Sequence, residues 1–190
     1  MDTQLNKQTQ KFFRQSIKSY EALLAGSAAT LNPAEKLMTL RQLGGCYLKL
    51  ETGNRIENLK KALQHTINAL SIAQSIEDEH MVADLTRKLG TCSFELGIET
   101  DSTTLVHEAI SYHLESAARY SKWSSNWQRQ SMHLGYAAYC VECLPDADST
   151  PNAIRRVEFY ERLLACLPSN VPTSYVDDVT GRLLEAKKLI

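Results

Sequence analysis

Cys140-x-x-Cys143 is the one motif in this 190-residue chain with a metal or redox character. Two thiols supply half of the roughly four ligands a structural zinc site takes, and no second CxxC or His pair at ligand spacing completes the set. A thioredoxin-like dithiol needs a strand running into a helix, whereas these cysteines fall inside a run that reads as helix. They are expected to be packing residues, or at most a mildly exposed thiol. Cys46 and Cys92 each stand two residues after a glycine, and that equivalence favours small buried side chains over catalytic thiols. The five histidines, His65, His80, His107, His113 and His133, are scattered. Glu79-His80 and His107-Glu108 are adjacent pairs, and neighbours on a helix point to different sides. His113 is expected at a contact between helices. Glu77-Asp78-Glu79 suits a helix start, where negative charge is favoured. Trp123 and Trp127, four apart, are expected to staple neighbouring helices. There is no Gly-rich phosphate loop, Ser-centred elbow or HExxH run. The sequence therefore predicts no catalytic residue, no metal ligand and no cofactor.

Composition narrows the class further. Lys plus Arg is 21 and Asp plus Glu is 22, a near balance that argues against a phosphate-tracking nucleic-acid binder. No apolar run approaches the ~18 residues that span a bilayer, and Met1 to Gln10 lacks the apolar core of a signal peptide. Five cysteines, an odd count, fit free thiols in a reducing compartment. A cytoplasmic protein is expected, with no nucleic-acid or membrane partner.

These side chains must be positioned by helices, because no alternating strand pattern bounded by hairpin turns is present. Leu43-Gly44, Leu89-Gly90 and Leu134-Gly135 recur, and with Gly181 the glycines stand 46, 45 and 46 residues apart. An Ala before a large aliphatic follows each of the first three, at Ala62-Leu63, Ala109-Ile110 and Ala153-Ile154. Small residues at both markers would let paired antiparallel helices approach closely. Asn32-Pro33-Ala34-Glu35 is a strong helix start, with a capping Asn, Pro at the first helical position and Glu three residues after the cap. Ser125 with Gln128, Ser75 with Asp78, and Ser149-Thr150-Pro151 read as further starts. Gly53-Asn54, Gly97 and Leu144-Pro145 read as turns. Eight helices are predicted, at about 4–25, 33–50, 55–75, 78–97, 102–120, 125–144, 151–166 and 173–189. They form a single all-α domain over 1–190. Residues 1–30 cap it with an apolar stripe of Ile17, Tyr20, Leu23 and Leu24. Three hairpins follow at 33–76, 78–121 and 125–168, and residues 172–190 close the array.

Leu43-Gly44-x-x-Tyr47, followed by Ala62 and Ala69, resembles the tetratricopeptide pattern. The spacing is longer than the family's unit of about 34 residues, by about 6 residues at each of two steps. In that respect the chain is similar to the long repeats found with CHAT-type caspase-like protease domains. The likeness rests on Leu43 to Tyr47, Gly53 to Leu59, and Trp127 ahead of Leu134-Gly135, and covers most of residues 33 to 167. Ser93 and Ala138 replace the Tyr in the later repeats, and Thr66, His113 and Val157 stand where the family often has an aromatic. No protease domain is contained in the chain.

The resemblance implies a right-handed helical-hairpin solenoid whose concave groove holds a partner's peptide or helix. Carried over from the matched glycines, the inward residues are Met38, Arg41, Gly45, Leu48 and Lys49, then Asp84, Arg87, Thr91, Phe94 and Glu95. Arg129, Met132, Tyr136, Tyr139 and Cys140 follow, and then Tyr175, Asp178, Arg182 and Glu185. Arg41, Arg87, Arg129 and Arg182 would form a guanidinium ladder suited to carboxylates. Phe94, Tyr136 and Tyr139 would be rigid apolar anchors. Set against this, each Arg is an ordinary surface residue paired with neighbours such as Asp84, Glu95 or Asp178. The expected function is a protein-binding scaffold or adaptor for an acidic segment with apolar residues. A carrier for one client, self-association through the end helices, and an enzyme on a helical scaffold are the alternatives.

Overall fold

The structure is a computed structural model that describes residues 2–27, 30–123 and 126–190, and for 2–5 and 27 the backbone alone. Among these residues there are eight helices and no strand. They are α1 (Asp2–Ser27), α2 (Pro33–Lys49), α3 (Arg55–Ser75), α4 (Glu79–Glu99), α5 (Thr103–Tyr120), α6 (Trp127–Glu142), α7 (Thr150–Ala165) and α8 (Thr173–Lys187). The all-α fold expected from the sequence is the one observed, and the helices lie close to the predicted ranges.

Local chemistry explains the starts. At α2 the Asn32 side chain accepts from the Glu35 amide while Glu35 accepts from the Asn32 amide, and Pro33 opens the first turn. Asn54 caps α3 through the Glu57 amide, with Gly53 at φ +85° making the turn before it. Two expectations are corrected. The α4 cap is Asp78, accepting from Met81, whereas Ser75 ends α3 with its hydroxyl on the Ile72 carbonyl. Gly97 is buried inside α4, and the chain turns instead at Asp101, φ 50°. Ser125 lies outside the described residues.

The chain divides into two compact units, 1–100 and 101–190, and the division falls inside the segment expected as the second hairpin. In the first unit α1 packs on α2, α2 on α3 and α3 on α4. One core cluster joins Ile17, Leu43, Tyr47, Leu50, Ala62 and Cys92. A second joins Leu37, Leu40, Ala69, Ala73, Val82 and Leu85. At Gly44 α2 and α3 approach closely: a Cβ there would lie 2.9 Å from Thr66 Oγ1 and 3.3 Å from the Ala62 carbonyl. In α1, Ile17 is buried and Tyr20 and Leu24 half-buried as expected. Leu23 turns outward, and Phe13 takes its place against the core.

In the second unit α5 packs on α6, α6 on α7 and α7 on α8. Its buried residues include Ile110, Tyr120, Leu134, Val141, Phe159 and Leu163. The glycine marker weakens here. A Cβ at Gly135 would make only ordinary contact with Leu163 at 3.6 Å, and one at Gly181 would meet nothing within 4 Å. Gly181 is therefore not a point of close helix approach.

Candidate functional site

The inward positions of α2 and α4 in the first unit share one half-open face. Along α2, Met38 and Lys49 are exposed and Arg41 and Leu48 half-buried, while Asp84, Arg87, Thr91 and Phe94 of α4 are half-buried. The structure joins Arg41 and Arg87 at one carboxylate. Arg41 donates through Nε and Nη2 to Asp84 Oδ2 at 3.1 and 3.0 Å. Arg87 donates through the same two atoms to Asp84 Oδ1 at 3.3 and 3.0 Å. Burial alone would raise the Asp84 carboxyl, but the two guanidinium groups overcome it and hold the group below its ordinary range. Glu95 pairs with Arg55 at 3.2 Å rather than with any of the four expected ladder arginines.

Lys88, beside them, was not among the expected residues. Its ammonium donates to the Arg41 carbonyl at 3.4 Å and makes no salt bridge among the described residues. Burial, and then the Arg41 charge, push its pKa down. Three cations thus face one carboxylate.

This basic patch borders a cleft of about 360 Å³ between α1, α2 and α4. Phe12, Phe13 and Tyr20 of α1 line one side, and Leu48, Lys49 and Lys88 line the other. Phe12 is 61% exposed and meets Phe13 edge-on at 5.9 Å between ring centres. Gly45 lies beside the Lys88 ammonium: a Cβ there would come to 3.8 Å from Nζ, an ordinary contact. Hydrogen bonds fix the walls. The buried Gln10 of α1 donates to the Lys49 carbonyl at 3.2 Å and accepts from the Glu51 amide at 2.9 Å. Arg55 holds the end of α2 through the Leu48 and Leu50 carbonyls at 2.6 and 3.2 Å.

The α1 wall is the part that the expected site leaves out, since α1 is expected from the sequence as a cap or as a surface for self-association. A signal was present. Two adjacent phenylalanines on a helix point about 100° apart, so both cannot face the same core.

In the second unit, Arg129 donates to the Tyr120 hydroxyl at 3.1 Å, and Arg182 pairs with Asp178 at 3.3 Å and Glu142 at 3.7 Å. Each of the four arginines therefore has an internal partner. Met132, Tyr136 and Tyr139 lie along α6, 40%, 44% and 49% exposed. Tyr175, Asp178, Arg182 and Glu185 are exposed on α8.

Residues with possible chemistry are packed. Cys46, Cys92 and Cys140 are buried, and burial pushes Cys92 up to about 11 and Cys140 up to about 12. Such thiols are poor nucleophiles at neutral pH. His113 is buried at the contact between α5 and α6, stacked on His133 at 6.1 Å and tilted against Tyr136 at 5.3 Å between ring centres. Trp123 meets Tyr120 edge-on at 5.9 Å. Among the described residues no three His, Cys, Asp or Glu are arranged to hold a metal ion. No helix among them is long and apolar enough to cross a membrane. No protein-family model matches the chain, and no curated protein matches it.

Proposed function

We propose that this chain is a tetratricopeptide-like scaffold or adaptor that binds a partner protein through an acidic segment carrying apolar residues. The observation that carries the reading is the cleft of the first unit, with aromatic rings on one wall and Lys49, Arg87 and Lys88 on the other. A partly exposed aromatic cluster beside surplus positive charge is the combination that interface anchors and charge complementarity call for. Exposed Met132, Tyr136 and Tyr139 offer a second apolar contact within the other unit. Buried, proton-holding thiols favour binding over catalysis. The free cysteines favour a reducing, cytoplasmic setting.

The test is affinity capture from the native lysate with the wild-type chain, then with Lys49→Glu/Lys88→Glu and Phe12→Ala. The partner so found is then titrated as purified protein. Loss of direct binding in both variants, with helicity retained by circular dichroism, supports the reading. Undiminished binding by both overturns it.

A further inference from the structure

We propose that Lys88, Arg87 and Lys49 form a seat for a dianionic phosphoryl group on an aromatic side chain of the bound segment, the ring lying against Phe12, Phe13 and Tyr20. This rests on the reading of the cleft as the partner-binding site and narrows its ligand to a phosphotyrosine.

Charge counting selects the dianion. Arg41, Arg87 and Lys88 meet in one cluster, and Asp84, bound by both arginines, offsets one of the three charges. Two positive charges remain, with Lys49 a further cation on the same cleft. One carboxylate would neutralise half of the remainder. A phosphoryl group brings about −1.5 to −2 at neutral pH and three strong acceptor oxygens. The polarity of the cluster points the same way. Lys88 is held in a half-buried place where burial and its cationic neighbours oppose its charge, a cost an incoming anion would offset. Gly45 adds no side chain beside that ammonium.

The rings select the carrier. Phe12, Phe13, Tyr20 and Leu48 present apolar surface within the same 360 Å³ cleft. A phosphoserine has no apolar body to cover them. A phosphotyrosine supplies a flat ring and a dianion at its far end, and Phe12, largely exposed, is free to pack against it.

Phenyl phosphate is the probe, titrated into the full chain by nuclear magnetic resonance with the Gly45 amide as reporter, beside phenylacetate and inorganic phosphate. Phenyl phosphate should saturate the Gly45 shift and bind more tightly than either of the others. Its affinity should rise with pH through about 6, where the second phosphate proton leaves. Lys88→Met should weaken it about tenfold, the scale of one charge-assisted contact. Lys49→Gln should weaken it less. Absence of binding, equal binding of phenylacetate or inorganic phosphate, or indifference to Lys88→Met overturns the proposal. If the cleft variants abolish partner binding but phenyl phosphate does not bind, the phosphoryl seat fails alone. If phenyl phosphate binds at Lys88 while partner binding ignores the cleft, the adaptor reading fails alone.

Discussion

The hydroxyl of Tyr47 on α2 donates to Glu21 Oε1 on α1 at 2.5 Å, and this bond ties the wall that carries Phe12 and Phe13 to the helix that carries Lys49. Tyr47→Phe keeps the buried ring and removes the bond. Glu21 is exposed, so the loss should be about 1 kcal/mol, below the range for charged partners in dry sites. Urea unfolding reads it. Burial, with Glu21 as acceptor and charge, also raises the Tyr47 phenol above its usual value. The folded state thus keeps a proton that the unfolded chain gives up near pH 10, and stability should fall as pH rises beyond about 10. Tyr47→Phe should flatten that fall; an unchanged profile would show that the bond does not set it.

Gly44 and Gly181 occupy matching places in the sequence repeat and should answer alanine with opposite signs. At Gly44 the new Cβ would press on Thr66 Oγ1, itself bound to the Ala62 carbonyl at 2.7 Å, so α2 and α3 must separate. The expected cost is about 1–3 kcal/mol, the range for overpacking. At Gly181 the Cβ meets open space in mid-helix, and alanine should stabilise by about 0.5–1 kcal/mol. Thermal melts of the two variants settle it, and losses at both positions would mean that α8 is packed more closely than it looks.

The helices were legible because their signals are local. Asn32, Pro33 and Glu35 lie within four residues, and the apolar stripes repeat within a turn or two. The site was legible only in part. Asp84 and Arg87 stand three apart, a helix spacing that marks their pair, whereas the bond from Arg41 to the same carboxylate joins residues 43 apart and has no mark in local spacing. Lys88 escaped notice because its interest comes from what surrounds it. Gly181 shows the opposite error: the interval persists in sequence although no helix lies close enough to require a glycine.

His65 stacks on the Tyr47 ring at 5.6 Å with its Nδ1 buried. Burial lowers its pKa, the Lys61 charge adds to that, and Glu21 opposes it. The unfolded chain therefore takes up a proton before the folded one does. The stability His65 contributes is whole above about pH 6.5 and is lost as pH falls from there through the lower folded value. A proton-exchange titration by nuclear magnetic resonance should place its midpoint below 6.5, and His65→Phe should reduce the stability slope between about pH 7 and 5. A midpoint at or above the ordinary value would contradict the packing at this corner.

Thiol labelling should separate the cysteines by burial. Cys92 and Cys140, held up to about 11 and about 12, should stay unlabelled in the native protein at pH 8 and react fully in denaturant. Cys143, half-buried at the end of α6, should react first of the Cys140-x-x-Cys143 pair. Rapid native labelling of both would revive a redox role for the motif.

Asp84→Asn should weaken the fold and strengthen the cleft at once. The carboxylate is 18% exposed and receives both guanidinium groups, themselves 28% and 27% exposed. Such pairing lies between a surface bridge and a buried one, so its loss should cost about 2 kcal/mol. The cost should shrink with added salt, because the uncompensated cations repel each other. It should also vanish in acid: Asp84 sits below the ordinary carboxylate range, so its contribution is present above about pH 3.9 and disappears as pH falls through the folded value. The same substitution removes the negative charge that Arg41 and Arg87 share beside Lys88. An anion in the cleft then meets a larger positive field and should bind more tightly, although the protein that holds it is less stable. Urea unfolding and phenyl phosphate titration of one variant measure both effects. Parallel losses of stability and affinity would mean that Asp84 acts only as scaffolding, holding the arginines where the ligand needs them.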